Sequence, residues 1–140
     1  MAGPLANLKV LDFTTLLPGP FASMILADLG ASVLRVEAPG RPDMVREMKQ
    51  RAGSVSAAHA TVNRSKRCIS LDLKNPEALR LVEQLLENHD ILLEQFRPGV
   101  MNRLGLGYEQ LQDRHPGLIY CSLTGYGQTG PYRNRAGHDI

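Results

Sequence analysis

Near the end of the chain, Gly137-His138-Asp139-Ile140 places a histidine beside a carboxylate, directly after a glycine-rich stretch. Imidazole titrates near working pH, so His138 is a candidate general base, able to take or return a proton. A lone His-Asp dipeptide also occurs by chance, and the residues alone leave both readings open. Just before it, Gly125-Tyr126-Gly127-Gln128-Thr129-Gly130 is a literal G-x-G-x-x-G. A dinucleotide fingerprint of that form needs a helix opening at its third glycine. Pro131-Tyr132-Arg133-Asn134-Arg135 follows instead, without helical apolar spacing. What remains is a flexible loop over a ligand, where glycines let backbone approach closely, or a plain surface turn.

A second dinucleotide-like outline comes from the turn at Leu17-Pro18-Gly19-Pro20 with the acid Glu37 further on. Pro20 lacks the N–H that would face a phosphate. The expectation is therefore a proline-shaped helix start with a solvated Glu37. Arg64-Ser65-Lys66-Arg67, with Lys74, Arg97 and Arg103, sets basic groups near strand ends, where they could hold a phosphate-bearing ligand. Charge runs are more often solvated faces. His59, His89 and His115 have no partners at catalytic or metal spacing, and no role is expected of them.

These residues must be positioned by alternating strands and helices. Lys9–Phe13, Ser32–Glu37, Cys68–Leu73, Asp90–Phe96 and Leu118–Leu123 read as strands. Phe21–Leu29 reads as a helix with Phe21, Met24, Ile25 and Leu29 on its apolar stripe, Pro20 at its first position and Gly30 past its end. Asn75 caps the clearest helix, Pro76 opens it, and Leu79, Val82, Leu85 and Leu86 form its buried stripe. Shorter helices fit Val100–Leu104 and Tyr108–His115. Residues 41–66 form a polar excursion with one short helix. Alternation of this kind predicts an α/β fold with a largely parallel sheet, whose ligands bind beyond the carboxyl ends of the strands. The loops at 14–20, 37–43, 74–75, 96–99 and 124–140 are the ones to watch.

Length and composition suit a folded domain. The chain has 140 residues, 43% hydrophobic and 21% charged, which excludes a disordered tail or a coiled coil. Net charge is +2 and aromatic content 5% without tryptophan, so no nucleic-acid partner is expected. No apolar run is long enough for a bilayer, and no membrane partner is expected. Cys68 and Cys121 make no metal or disulfide framework, which fits a reducing, cytoplasmic setting.

Taken together, the segments resemble the start of the family III CoA-transferases, which include the α-methylacyl-CoA racemases. The resemblance rests on Asp12-Phe13-Thr14 with Pro18-Gly19-Pro20-Phe21, and on Ala27-Asp28-Leu29-Gly30-Ala31 with Arg35-Val36-Glu37. It continues through Lys66-Arg67, Ser70-Leu71-Asp72-Leu73-Lys74 and Leu93-Glu94-Gln95-Phe96-Arg97-Pro98-Gly99-Val100-Met101. Arg103-Leu104-Gly105, Gly125–Pro131 and Gly137–Ile140 complete it.

The resemblance implies a Rossmann-like large domain of which residues 1–140 are the N-terminal portion, in proteins that form interlocked homodimers. It implies a coenzyme A thioester as substrate, with no prosthetic group. Leu71, Asp72, Leu73, Lys74, Gln95, Phe96, Arg97, Arg103, Gly137 and Asp139 would help hold the CoA. His138 matches the catalytic acid/base of the racemase branch. Two positions depart from the pattern: Ala38 stands where many relatives carry arginine, and Gln95 where many carry Asn or Pro. The family's catalytic aspartate and its small domain have no counterpart within these residues. The first expectation is a racemase acting on 2-methylacyl-CoA. The alternatives are a CoA-transferase working through an aspartyl intermediate and a non-catalytic CoA-binding module.

Overall fold

The computed structural model describes residues 3–137; His138, Asp139 and Ile140 lie outside the described residues. Five strands form one parallel sheet: β1 (Lys9–Asp12), β2 (Ser32–Glu37), β5 (Arg67–Ser70), β6 (Ile91–Glu94) and β7 (Ile119–Ser122). Their order is β5-β2-β1-β6-β7. Registers such as Leu11 opposite Leu34 and Leu92 fix β1 at the centre. The chain runs outward from β1 through β2 to β5, then returns to β6 on the other side. Strand order therefore reverses between β1 and β6, the place where open α/β sheets bind ligands.

Both faces of the sheet are covered, so the central strands are apolar at consecutive positions. On one face, Val10, Val33 and Leu93 pack with Ala27 and Ala31 from α1 (Pro18–Asp28) and its exit. On the other, Leu11, Leu34, Val36 and Leu92 pack with Val82 and Leu86 of α3 (Pro76–Leu86). Met101 of α4 (Val100–Arg103) and Leu111 of α5 (Tyr108–Leu111) close that side. The start of α3 is as expected: Asn75 accepts from the Glu77 amide at 2.9 Å and Pro76 opens the helix. Gly30 takes φ 105 just beyond α1, as its placement predicts.

Helix α1 departs from expectation. It begins at Pro18, and its buried face is Gly19, Pro20, Ser23, Met24 and Ala27. Phe21, Ile25 and Leu29 are exposed instead, with Leu17. The helix is apolar on both sides, so periodicity cannot choose the inner one; small residues at 19, 23 and 27 let the backbone lie close to the sheet. The third expected strand is also shorter, ending at Ser70, after which 71–74 turns towards α3. The excursion at 41–66 holds more structure than one helix: a 3-10 turn (Met44–Glu47), the hairpin β3 (Arg51–Ala52) with β4 (Val55–Ser56), and α2 (Ala57–Val62). Among the described residues no helix is long and apolar enough to cross a membrane.

Candidate functional site

Because the five strands are parallel, all their carboxyl ends meet one edge of the sheet. At the reversal point the loop after β1 approaches the turn after β6. Gly19 sits between them: a Cβ there would lie 2.3 Å from Thr14 Cβ and 2.5 Å from Gln95 Oε1. Only glycine permits this approach. Gln95 Oε1 is buried against Gly19 and has no hydrogen-bond partner, an acceptor left unpaired at a cost unless a donor meets it.

The β6 turn is shaped from below. Glu94 is buried, and its Oε2 accepts from the Phe96 amide at 2.7 Å. Burial pushes its carboxyl pKa up, against hydrogen bonds from Ser122 and the Phe96 amide. A cleft of about 260 Å³ opens beside it, lined by Glu94, Arg97, Asn102, Tyr108, Tyr120 and Gln128 among others. Gln128 belongs to the glycine loop, so that loop does border a cavity. Among the described residues no helix follows it, as the lack of helical apolar spacing after Gly130 predicts.

The expected binding residues fall into separate groups. Gln95, Phe96 and Arg97 share the β6 turn, and Arg103 lies one helical turn beyond, its Nη1 3.4 Å from where a Gly99 Cβ would stand. Leu71, Asp72, Leu73 and Lys74 follow β5, two strands past β1. Leu71, Leu73 and Phe96 nevertheless lean on the same core, on the α3 face. Lys74, Arg97 and Arg103 are exposed at the edge. Gly137 lies against Gly125, at the mouth of the glycine loop. His138 and Asp139 lie outside the described residues.

Other basic groups expected at the ligand are spent internally. Lys66 Nζ donates to Ser23 Oγ at 2.7 Å and the Pro20 carbonyl at 2.8 Å, and lies 3.7 Å from Asp12. Its side chain is 1% exposed, and burial pushes its pKa down to about 8 despite Asp12. Arg64 pairs with Asp28, and Arg67 donates to Ser32 Oγ.

Glu37 is not solvated, contrary to expectation. It is ion-paired with Arg35 and, at 2.8 Å, with Arg46. Burial alone would raise its pKa, but the Arg46 hydrogen bond and the charges of Arg35, Arg46 and His59 hold it below the usual range. An acid so engaged is not free to hold a ribose, which removes the second dinucleotide outline. His59 also has a role that was not expected of it. It is buried, with Nε2 3.0 Å from Arg35 Nη1, and burial together with Arg46 and Arg35 lowers its pKa. A neutral imidazole can accept there. Asp43, fully covered, pairs with Arg35 as well. One signal for this cluster was legible: Arg35 interrupts an otherwise apolar central strand, where a charge must find partners.

Comparison with known proteins agrees with this architecture. The model of CoA-transferase family III matches residues 5–140. The chain is similar to a succinyl-CoA:glutarate CoA-transferase from Homo sapiens, 44% identical over 97% of this chain and 31% of that protein. It is similar to a succinyl-CoA–D-citramalate CoA-transferase from Chloroflexus aurantiacus, 43% identical over 96% of this chain and 34% of that protein. A crystal structure of a CAIB/BAIF family protein from Brucella suis superposes with TM-score 0.92 and 39% identity, covering 99% of this chain and 38% of that one. The chain thus spans about a third of the length of the relatives it matches. With a matching family model over nearly all its residues and the same parallel sheet, this chain belongs to CoA-transferase family III.

Proposed function

We propose that residues 1–140 are the N-terminal portion of the large CoA-binding domain of a CoA-transferase, which moves CoA from an acyl-CoA to a carboxylic acid. The observation that carries this reading is the β6 turn at the reversal point. There Gln95 Oε1 is buried without a partner, with Phe96, Arg97 and Arg103 close by. A pantetheine arm carries amide N–H groups that would satisfy Gln95. Lys74, Arg97 and Arg103 would meet phosphates, and the half-buried Leu71, Leu73 and Phe96 offer apolar surface for the nucleotide base. CoA thioester is substrate here, and no prosthetic group enters the reading.

The transferase reading is preferred over the racemase because the named relatives are CoA-transferases. In the chemistry the family resemblance implies, an aspartate carboxylate attacks the thioester carbonyl and expels CoA thiolate, leaving an acyl-aspartyl anhydride. The thiolate then attacks the aspartyl carbonyl, releasing the first carboxylate; the acceptor acid finally takes CoA by the same two steps. The work of this chain is to hold CoA while its acyl group is exchanged. One motif, Gly137-His138-Asp139-Ile140, favours the racemase instead, with His138 removing the proton next to the thioester.

Three measurements test the reading. Titration of the chain with CoA by calorimetry should show binding that Arg97→Ala and Arg103→Ala weaken; no binding by the wild-type chain overturns the CoA reading. The protein extended to the length of its relatives, given succinyl-CoA and a dicarboxylate, should form the new acyl-CoA with ping-pong kinetics. Exchange of the α-hydrogen of 2-methylacyl-CoA in heavy water, without transfer, would replace the transferase by the racemase.

A further inference from the structure

The loop joining β1 to α1 holds a backbone conformation that its residue type disfavours. Leu16 has φ 62, a left-handed value usually left to Gly or Asn because a Cβ crowds the backbone there. Such a conformation persists only where its surroundings impose it, and strained residues of this kind gather at ligand-binding places.

Here the residues that impose it can be named. The Leu16 amide donates to both carboxylate oxygens of Asp43, at 3.2 and 3.1 Å. Two residues earlier, the Thr14 carbonyl accepts from Arg35 Nε at 3.3 Å. Arg35 and Asp43 are ion-paired with each other, and both are buried. One ion pair therefore grips the loop backbone on either side of Thr15. The rest of the Arg35 guanidinium is held by Glu37 and His59, so it cannot swing away. The gripped loop is the one that meets Gln95 across Gly19 at the reversal point. A buried ion pair is costly to assemble, and apolar side chains of similar size often stabilise a core as well. What they cannot do is donate to Thr14 and accept from Leu16.

We propose that Arg35 and Asp43 are positioning residues: their buried ion pair holds the Thr14–Leu16 segment with Leu16 in its left-handed conformation, setting the backbone that borders the acyl-CoA crevice before ligand arrives. The identity of the ligand rests on the CoA reading above; the clamp rests on geometry. A loop set in advance loses little freedom on binding, which favours affinity.

Hydrogen exchange of the Leu16 amide, followed by NMR on the wild-type chain without ligand, tests the clamp. Strong protection is expected although the amide lies in a loop, and exchange at the free-peptide rate overturns the proposal. Calorimetry with CoA tests the positioning role. Asp43→Asn should weaken binding on the order of tenfold. Leu16→Gly added to Asp43→Asn should recover most of that loss, because glycine takes a positive φ without a Cβ. A folded double variant that recovers nothing overturns the proposal, since a merely structural loss is not repaired by a glycine in the loop. The exchange measurement needs no variant, so it decides the clamp even where Asp43→Asn does not fold. A wild-type chain that ignores CoA while its Leu16 amide stays protected removes the CoA reading and keeps the clamp. An unprotected amide with CoA binding intact does the reverse.

Discussion

The backbones of Gly125 and Gly137 touch: a Cβ built on either would lie 2.4 Å from the Cα of the other. The segment between them is thus a loop closed at its base, beginning just after β7. Gly125→Ala should open that base and cost about 1–3 kcal/mol, the usual penalty for overfilling a packed contact. Limited proteolysis within 126–136 should accelerate in the variant. Unchanged cleavage and unchanged denaturation would show that the two glycines do not meet.

His59 should make stability fall on the acid side. Its folded pKa lies below 6.5, so below that value the unfolded chain takes up the proton first and gains on the native state. Its contribution is full above 6.5 and is lost as pH drops through the folded value. His59→Gln keeps an acceptor for Arg35 yet cannot titrate. Urea denaturation at pH 7.5 and 5.5 should therefore show a smaller acid loss in the variant than in the wild type.

Lys66 predicts a slope at the other end. Its folded pKa is about 8 against an ordinary 10.5. Between those values the unfolded chain carries the extra proton, so wild-type stability gains a rising contribution from about pH 8 towards 10.5. Lys66→Met should lack that rise. It should also be less stable at neutral pH by about 3 kcal/mol, because Asp12 is left as an uncompensated buried charge. Asp12 also accepts from the Thr14 amide and hydroxyl and from the Ser23 hydroxyl, and equal stability of the two proteins at pH 7 would mean that it needs only those.

Glu94 supports the β6 turn through one oxygen, and its charge is resisted by burial. Glu94→Gln keeps an acceptor for the Phe96 amide and removes the charge. It should match or exceed wild-type stability at pH 7 and retain CoA binding. Glu94→Ala should lose about 1–3 kcal/mol and weaken CoA binding, because the amide loses its partner. Identical affinities in the two variants would separate the turn from the carboxyl group below it.

The cap of α3 provides a local check. Asn75→Ala removes the acceptor of the Glu77 amide and should cost about 1 kcal/mol. Thermal unfolding would register that loss, with no change in CoA affinity expected because Asn75 points into its own helix.

What lay in the sequence was the part decided by neighbours along the chain. The strand at Ser32–Glu37, the cap and proline opening α3, the stop at Gly30 and the missing helix after Gly130 are matters of local backbone preference and apolar spacing. Alternating elements of that kind determined the α/β fold, and ordered motifs along nearly the whole chain pointed to the family. The inner face of α1 was not legible, because both its sides are apolar and only packing against the sheet selects the one with small residues. The destinations of the charges were not legible either. Lys66 and Arg97 look alike in sequence, yet one is buried against Asp12 and the other stands at the sheet edge. Glu37 meets Arg46, and His59 meets Arg35, only because residues 41–62 fold back over Arg35. Burial and charge pairing depend on contacts between residues far apart in the chain, so only the tertiary structure decided which polar groups hold the fold and which are left for a ligand.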